Sequence, residues 1–192
     1  MLNDYDYGME NFEYIAFVDI DGVLNHMQMK CTYEFLKESV DVLNDLYEKY
    51  NIQLVLSSSW RHAYSFAFMQ KLFKDNGIKA PLIDKTYICF NNNEKKVSLN
   101  LSELLEEDYD DEYIATSLYT RDNEIYEWVK MFKPKHFVIL DDFKMHGQFL
   151  QNHQWLTYYW GEKKEDLALR LKHLPKIYKI LEKENELLKD TF

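Results

Sequence analysis

Phe17-Val18-Asp19-Ile20-Asp21-Gly22-Val23-Leu24-Asn25 is the stretch from which the fold is read. Just before Asp19 runs Tyr14-Ile15-Ala16-Phe17-Val18, a continuous apolar segment of strand length. Such a run suits a strand buried on both faces, as in a parallel sheet. Two carboxylates follow, Asp19 and Asp21, and then a glycine that permits a sharp turn. In extended chain, residues i and i+2 point to the same side, so both carboxylates can face one crevice at the strand's carboxyl end. Holding them together is costly unless a cation neutralises them or one takes a proton. Mg²⁺, a hard ion that prefers oxygen ligands, is the simplest resolution. The bland alternative is a strand followed by an ordinary Asp-Gly turn.

The chain has 192 residues, enough for one compact domain with a sizeable core. Its 46% hydrophobic and 16% aromatic content argues against disorder. A formal net charge of −10 disfavours indiscriminate binding to nucleic acid, although a small basic pocket for one phosphate is compatible with it. Cys31 and Cys89 form no metal or redox spacing. The acidic start carries no signal-peptide pattern, and no apolar run reaches membrane-spanning length. The expected setting is a soluble, reducing, cytoplasmic one.

Downstream, strands and helices alternate. A helix with Leu36, Val40, Leu43, Tyr47 and Tyr50 on one face leads to a buried strand, Gln53 to Leu56. That strand ends in Ser57-Ser58-Ser59-Trp60-Arg61. A second helix buries Phe66, Met69, Leu72 and Phe73 and stops at Asn76-Gly77. Pro81 to Phe90 holds a third strand. Residues 91–119, with an acid run from Glu106 to Glu112, read as a small insert over the sheet edge. Thr120 is expected to cap a helix with Asp122 and Glu124 in its first turn, burying Ile125, Trp128, Val129 and Phe132. His136 to Leu140 is a fourth strand, ending in Asp141-Asp142, and Trp155 to Tyr159 a short fifth. From Glu165 the chain reads as a helical extension, broken near Pro175 and closed by a charged helix. The sum is a doubly wound, Rossmann-like α/β domain with a parallel sheet of about five strands.

In a parallel sheet, the ends carrying Asp19 and Asp21, Ser57, and Asp141 and Asp142 lie on one side and converge. A hydroxyl and backbone amides at the second strand end can bind a phosphate oxygen, and a third carboxylate completes an oxygen cage for Mg²⁺. Arg121 is the best-placed cation for a phosphoryl group. At a helix N-terminus an arginine is unfavourable unless an anion pairs with it.

With these four segments in order, the chain resembles the haloacid dehalogenase-like (HAD) superfamily of Mg²⁺-dependent phosphatases. Within it, the chain is most similar to the HAD domains associated with RNA-repair proteins, relatives of the phosphatase half of polynucleotide kinase-phosphatases. Phe17 to Asn25 matches the first motif and Leu54 to Arg61 the second. Arg121 to Ile125 with Trp128 matches the third, and Val138 to Asp142 the fourth. Thr157 with Gly161 resembles the closing strand and turn. The likeness spans about residues 14–170.

The resemblance implies that Asp19 is the nucleophile forming an aspartyl-phosphate and Asp21 the general acid, then the base for water. It implies that Asp19, the backbone carbonyl of Asp21, and Asp142 hold Mg²⁺, with Asp141 the alternative ligand or a support behind it. Ser57 and Arg121 would grip the phosphoryl group, with Ser58 and Arg61 binding substrate. Lys133, Lys135 and Lys144 are rivals to Arg121. Arg61 could equally pair with the acid run. Trp60 reads as core sooner than as a base-stacking platform, by about two to one. The insert is longer than the subgroup's pattern. The expected substrate is a nucleotide or nucleic-acid end bearing a phosphate. Arg61, His62, Lys133, Lys135 and Lys144 would form a basic rim for its flanking phosphates. A small-molecule phosphatase is the alternative, and a catalytically silent binding module on this scaffold is a third reading.

Overall fold

The apolar runs read above become the interior of a five-stranded sheet in a computed structural model, which describes residues 12–26, 33–86, 112–157 and 168–191. The strands are β1 (Tyr14–Val18), β2 (Gln53–Leu56), β3 (Leu82–Lys85), β4 (His136–Asp141) and β5 (Gln154–Leu156). They are all parallel, in the order β3-β2-β1-β4-β5. The most continuous apolar runs take the centre: β4 is buried throughout, and β1 and β2 are buried except at their first residues. The edge strands β3 and β5 are less buried, as fits strands covered less completely.

Alternation along the strands divides the interior into two layers. Ala16, Val18, Leu54, Leu56, Val138 and Leu140 face one layer, packed with α1 (Lys37–Tyr50), α3 (Phe66–Asp75) and α6 (Leu174–Leu181). Ile15, Phe17, Val55, Phe137 and Ile139 face the other, against Ile125, Trp128 and Val129 of α4 (Glu112–Phe132) and Leu150 of α5 (Gln148–Asn152). A short α2 (Trp60–Ala63) sits between β2 and α3. Burying each large apolar side chain is worth about 1.5–3 kcal/mol, so these two layers are the main driving force for the fold. They make it a HAD-like α/β architecture of the Rossmann type.

From β1 the chain winds outward through β2 and β3, then returns to the other side of β1 for β4 and β5. The direction of winding therefore reverses between β1 and β4. At such a switch point the loops leave in opposite directions and open a crevice at the carboxyl ends. The register holds the two strands level there: Val18 pairs with Leu140, and the Asp19 N–H donates to Leu140 O at 3.0 Å. On the other side, the Ser57 N–H donates to Val18 O at 3.1 Å.

Three expectations are corrected. Thr120 is not an N-cap, because α4 begins at Glu112 and runs continuously past it. Arg121 is thus inside a 21-residue helix, and its charge is answered by tertiary partners, not by its place on the helix. Pro175 does not break a helix but sits in the first turn of α6, where its missing N–H costs nothing. Finally, the chain's last element is a 3₁₀ helix, Glu186–Thr191, preceded by another at Leu171–His173. The third strand is Leu82–Lys85, and residues 87–90, the acid run up to Asp111, most of the expected insert and Gly161 lie outside the described residues.

Candidate active site

The loop after β1 folds back at once. The N–H groups of Val23, Leu24 and Asn25 all donate to Ile20 O, at 3.2, 2.8 and 3.1 Å. Ile20, Val23 and Leu24 are fully buried, which anchors the turn and leaves the intervening polar residues at the crevice. Gly22 has φ +76°, and a Cβ there would stand 2.3 Å from Asp142 Oδ2. Only glycine lets the first loop approach the fourth strand's carboxylate so closely. Thr157, just past β5, steadies the same glycine by donating to Gly22 O at 3.0 Å.

Asp19, Asp141 and Asp142 converge as expected, each offering a carboxylate oxygen within 4.8 Å of the others. All three are buried. Asp19 Oδ1 accepts the Ile20 N–H at 2.8 Å, and Oδ2 accepts from Arg121 Nη1 at 3.0 Å. The same Nη1 lies 3.1 and 3.0 Å from the two oxygens of Asp141, whose Oδ1 also accepts the Phe143 N–H at 2.9 Å. Arg121 therefore ties β1 to β4 across the crevice. Burial opposes its charge, yet Asp19 and Asp141 raise its pKa on balance.

Asp142 differs from its neighbour. Its Oδ1 is buried without a hydrogen-bond partner. Burial, then the charges of Asp19 and Asp141, push its carboxyl up to about 8, and burial raises Asp141 as well. Carboxylates so crowded seek a proton or a cation. An orphaned oxygen beside two more hard donors fits Mg²⁺. Ser57 is also fully buried, and its hydroxyl has no partner. The Ser58 hydroxyl serves the turn, accepting the Trp60 N–H at 3.4 Å.

Asp21 stands apart from the three-carboxylate cluster. Its Oδ1 accepts from Asn25 Nδ2 at 3.0 Å, and its Oδ2 accepts from Trp60 Nε1 at 2.8 Å. Sequence reasoning missed that indole N–H. Trp60 does pack against the core, as expected, but only partly, and a partly buried indole commonly finds an acceptor.

Arg61 is corrected. Its side chain is 5% exposed and turned inward, donating to Ser57 O at 2.8 Å, to Ser58 O at 2.6 Å and to Glu124. Glu124 also accepts from Thr86 Oγ1 at 3.0 Å. Arg61 thus braces the turn after β2 against α4 instead of facing substrate. Asp122, read as a first-turn charge, instead accepts from the His146 N–H at 2.6 Å.

The basic rim is corrected too. Lys133 and Lys135 precede β4, at the amino end of the sheet, whereas Asp141 and Asp142 end it. Six strand residues span roughly 17 Å, so these lysines are neither rim nor rivals to Arg121. Of the five rim residues, only His62 and Lys144 are exposed at the carboxyl end. Among the described residues, no helix is long and apolar enough to cross a membrane.

The family described as the HAD domain in Swiss Army Knife RNA repair proteins matches residues 15–159, from β1 to just beyond β5. Neither a curated protein nor a solved structure matches the chain. The match spans both sides of the switch point and every segment that lines the crevice. With its parallel sheet wound in this order, the chain belongs to the HAD domains of Swiss Army Knife RNA repair proteins, a family of HAD-type hydrolase fold.

Proposed function

We propose that the chain is a Mg²⁺-dependent phosphomonoesterase that works through an aspartyl-phosphate on Asp19. The observation that carries this reading is the meeting of Asp19, Asp141 and Asp142 at the switch point, with Arg121 bonded to two of them and one oxygen of the third left without a partner. Asp19 and Asp142, with the backbone carbonyl of Asp21, would hold the ion, and Asp141 would stand behind, committed to Arg121. When bound, Mg²⁺ neutralises charge on the phosphoryl oxygens.

The chain's own residues supply the remaining chemistry. A carboxylate oxygen of Asp19 attacks phosphorus, forming a P–O bond as the bond to the leaving oxygen breaks. Arg121 holds that carboxylate in place through its contact with Oδ2. Asp21 gives its proton to the leaving oxygen, then takes one from the water that attacks phosphorus and frees Asp19. The Asn25 and Trp60 donors fix the Asp21 carboxyl in one orientation, which is what a proton donor requires. Ser57, with its unpartnered hydroxyl, is the donor for a phosphoryl oxygen.

The substrate we favour is the terminal phosphate of a nucleic acid or nucleotide, supported by the family's description. A small-molecule phosphomonoester is the second reading. The net charge of −10 and the placement of Lys133 and Lys135 at the far end of the sheet favour it. Phosphate release in Mg²⁺ from 3′- and 5′-phosphorylated oligonucleotides, mononucleotides and sugar phosphates separates the two. Asp19→Asn should remove turnover on every substrate while leaving the circular dichroism spectrum unchanged. Hydrolysis by that variant at near the wild-type rate would sink the covalent mechanism.

A further inference from the structure

A run of aromatic rings leads away from Asp21. Trp60, whose indole N–H bonds Asp21, packs 5.3 Å from Tyr64, and Tyr64 stacks on Phe68 at 4.9 Å and 22°. Tyr33 stands nearly perpendicular to all three, at 6.0 Å from Trp60, 6.0 Å from Tyr64 and 5.6 Å from Phe68. Its hydroxyl lies 3.3 Å from that of Tyr64. The inner end of the run is partly buried, but Tyr33 is 49% and Phe68 36% exposed. The cluster thus begins at the residue that protonates the leaving oxygen and ends in solvent. A group attached to that oxygen would therefore lie near these rings.

Two observations narrow what that group is. Among the described residues, the carboxyl end of the sheet presents only part of the expected rim, His62 and Lys144, since Arg61 is buried against Glu124 and Lys133 and Lys135 lie at the opposite end. Those two give a polyanion's backbone phosphates few described partners here. Nucleobases, in contrast, bind aromatic faces through stacking that needs no cation and tolerates any sequence. We infer that Tyr33, Trp60, Tyr64 and Phe68 form a stacking subsite for the unpaired terminal nucleobase of a phosphorylated RNA end, beside the phosphoryl site. This inference rests on the nucleic-acid reading of the proposed function. It gives recognition by base stacking with little help from flanking phosphates.

The test compares three substrates in Mg²⁺: a phosphorylated oligoribonucleotide, the same oligonucleotide with an abasic terminal residue, and ethyl phosphate. In the wild type, removing the base should lower kcat/KM roughly tenfold or more, the size of one stacked base. Tyr33→Ala/Phe68→Ala should erase that preference by raising KM for the base-bearing end, with kcat within about twofold, because stacking is equal in ground and transition states. The abasic end and ethyl phosphate should change by less than about twofold. Tyr33→Phe/Phe68→Tyr, which keeps both rings, should retain the preference. A terminal 2-aminopurine should be quenched on binding to Asp19→Asn, and not when the two alanines are added.

If the wild type hydrolyses abasic and base-bearing ends equally, the stacking subsite is wrong and the nucleic-acid reading stands. If the double alanine variant loses activity on ethyl phosphate in the same proportion, the rings are structural and the inference also fails. If ethyl phosphate turns over and neither oligonucleotide does, the nucleic-acid reading itself fails and takes this inference with it.

Discussion

Asp142→Asn should stabilise the metal-free protein while abolishing its response to Mg²⁺. The Asp142 carboxylate is 3% exposed, one of its oxygens has no partner, and Asp19 and Asp141 crowd it. Burial and those charges push its carboxyl up to about 8 from 3.8. Between those values the folded chain holds a proton that the unfolded chain has released, so stability falls as pH rises through that window. At pH 7 the penalty has a ceiling of about 4 kcal/mol at 1.36 kcal/mol per unit. Effective dielectrics near 20 inside real proteins bring it to roughly 1–2 kcal/mol. An asparagine of the same shape carries no charge to repel. For a domain of this size the gain corresponds to a rise of roughly 2–8 °C in Tm with EDTA present. Wild type should recover about 1.4 kcal/mol once Mg²⁺ reaches tenfold its Kd, and the variant should not. Asp141→Asn should gain less Tm in EDTA than Asp142→Asn, because the charge it removes is paired with Arg121. Thermal melts of the three proteins at pH 7, with EDTA and with a Mg²⁺ series, decide it. A lower Tm for Asp142→Asn in EDTA, or an undiminished Mg²⁺ shift, would refute the assignment of Asp142 as the oxygen ligand awaiting a cation.

Further predictions follow from the supports around the site. Arg61→Ala leaves Glu124 buried beside Thr86 alone and should cost about 3–5 kcal/mol in urea denaturation, whereas Arg61→Met/Glu124→Leu should recover much of it; a double variant no better than the single would count against a desolvated pair. Trp60→Phe removes the Nε1 donor and should slow hydrolysis of alkyl phosphates about tenfold or more but 4-nitrophenyl phosphate much less, since that leaving group needs no proton; equal losses would mean that Trp60 does not position the acid. His153 is 1% exposed, and burial lowers its pKa, so the unfolded chain takes a proton that the folded one refuses. Stability should therefore fall as pH drops below 6.5 and level off beneath the depressed value, and His153→Phe should flatten that part of a urea-midpoint profile.

Much of the fold was legible because it depends on local pattern. Three apolar runs gave the three central strands, and Asn76-Gly77 gave the end of α3, where Gly77 takes φ +83°. The convergence of Asp19, Ser57, Asp141 and Asp142 followed from parallel topology alone. What local pattern could not show were partners distant in the chain. Arg61 and Glu124 are 63 residues apart, and nothing in either segment distinguishes an inward arginine from a substrate-facing one. The lysine rim failed for a different reason. Lys133 and Lys135 are close to Asp141 in sequence, but they stand before the strand and Asp141 at its end. In a parallel sheet that difference alone sends them to the other side of the molecule. Arg121 was singled out as a cation at a helix start in need of an anion. The helix start was wrong, yet the need was real, because burial between two aspartates leaves the guanidinium no other balance.

Charge in the crevice connects the fold to its chemistry. Among the described residues, Arg121 is the guanidinium bonded to the cluster of Asp19, Asp141 and Asp142, within a region largely closed to water. Arg121 cannot serve all three, since its contacts to aspartate go to Asp19 and Asp141. Moving Asp142 outward would relieve the repulsion, but Gly22 lets the first loop close over it, and Thr157 holds Gly22 there. The structure therefore keeps a carboxylate where, by itself, it is unfavourable. Such an arrangement is stable only while a proton or a cation occupies the uncompensated position. A proton would remove one hard ligand and leave Asp19 beside a neutral neighbour. A divalent cation there would instead satisfy the orphaned oxygen and offset the excess charge, with Arg121 still paired to Asp19 and Asp141. The same imbalance that costs the fold stability is what a hard divalent cation at that position would relieve.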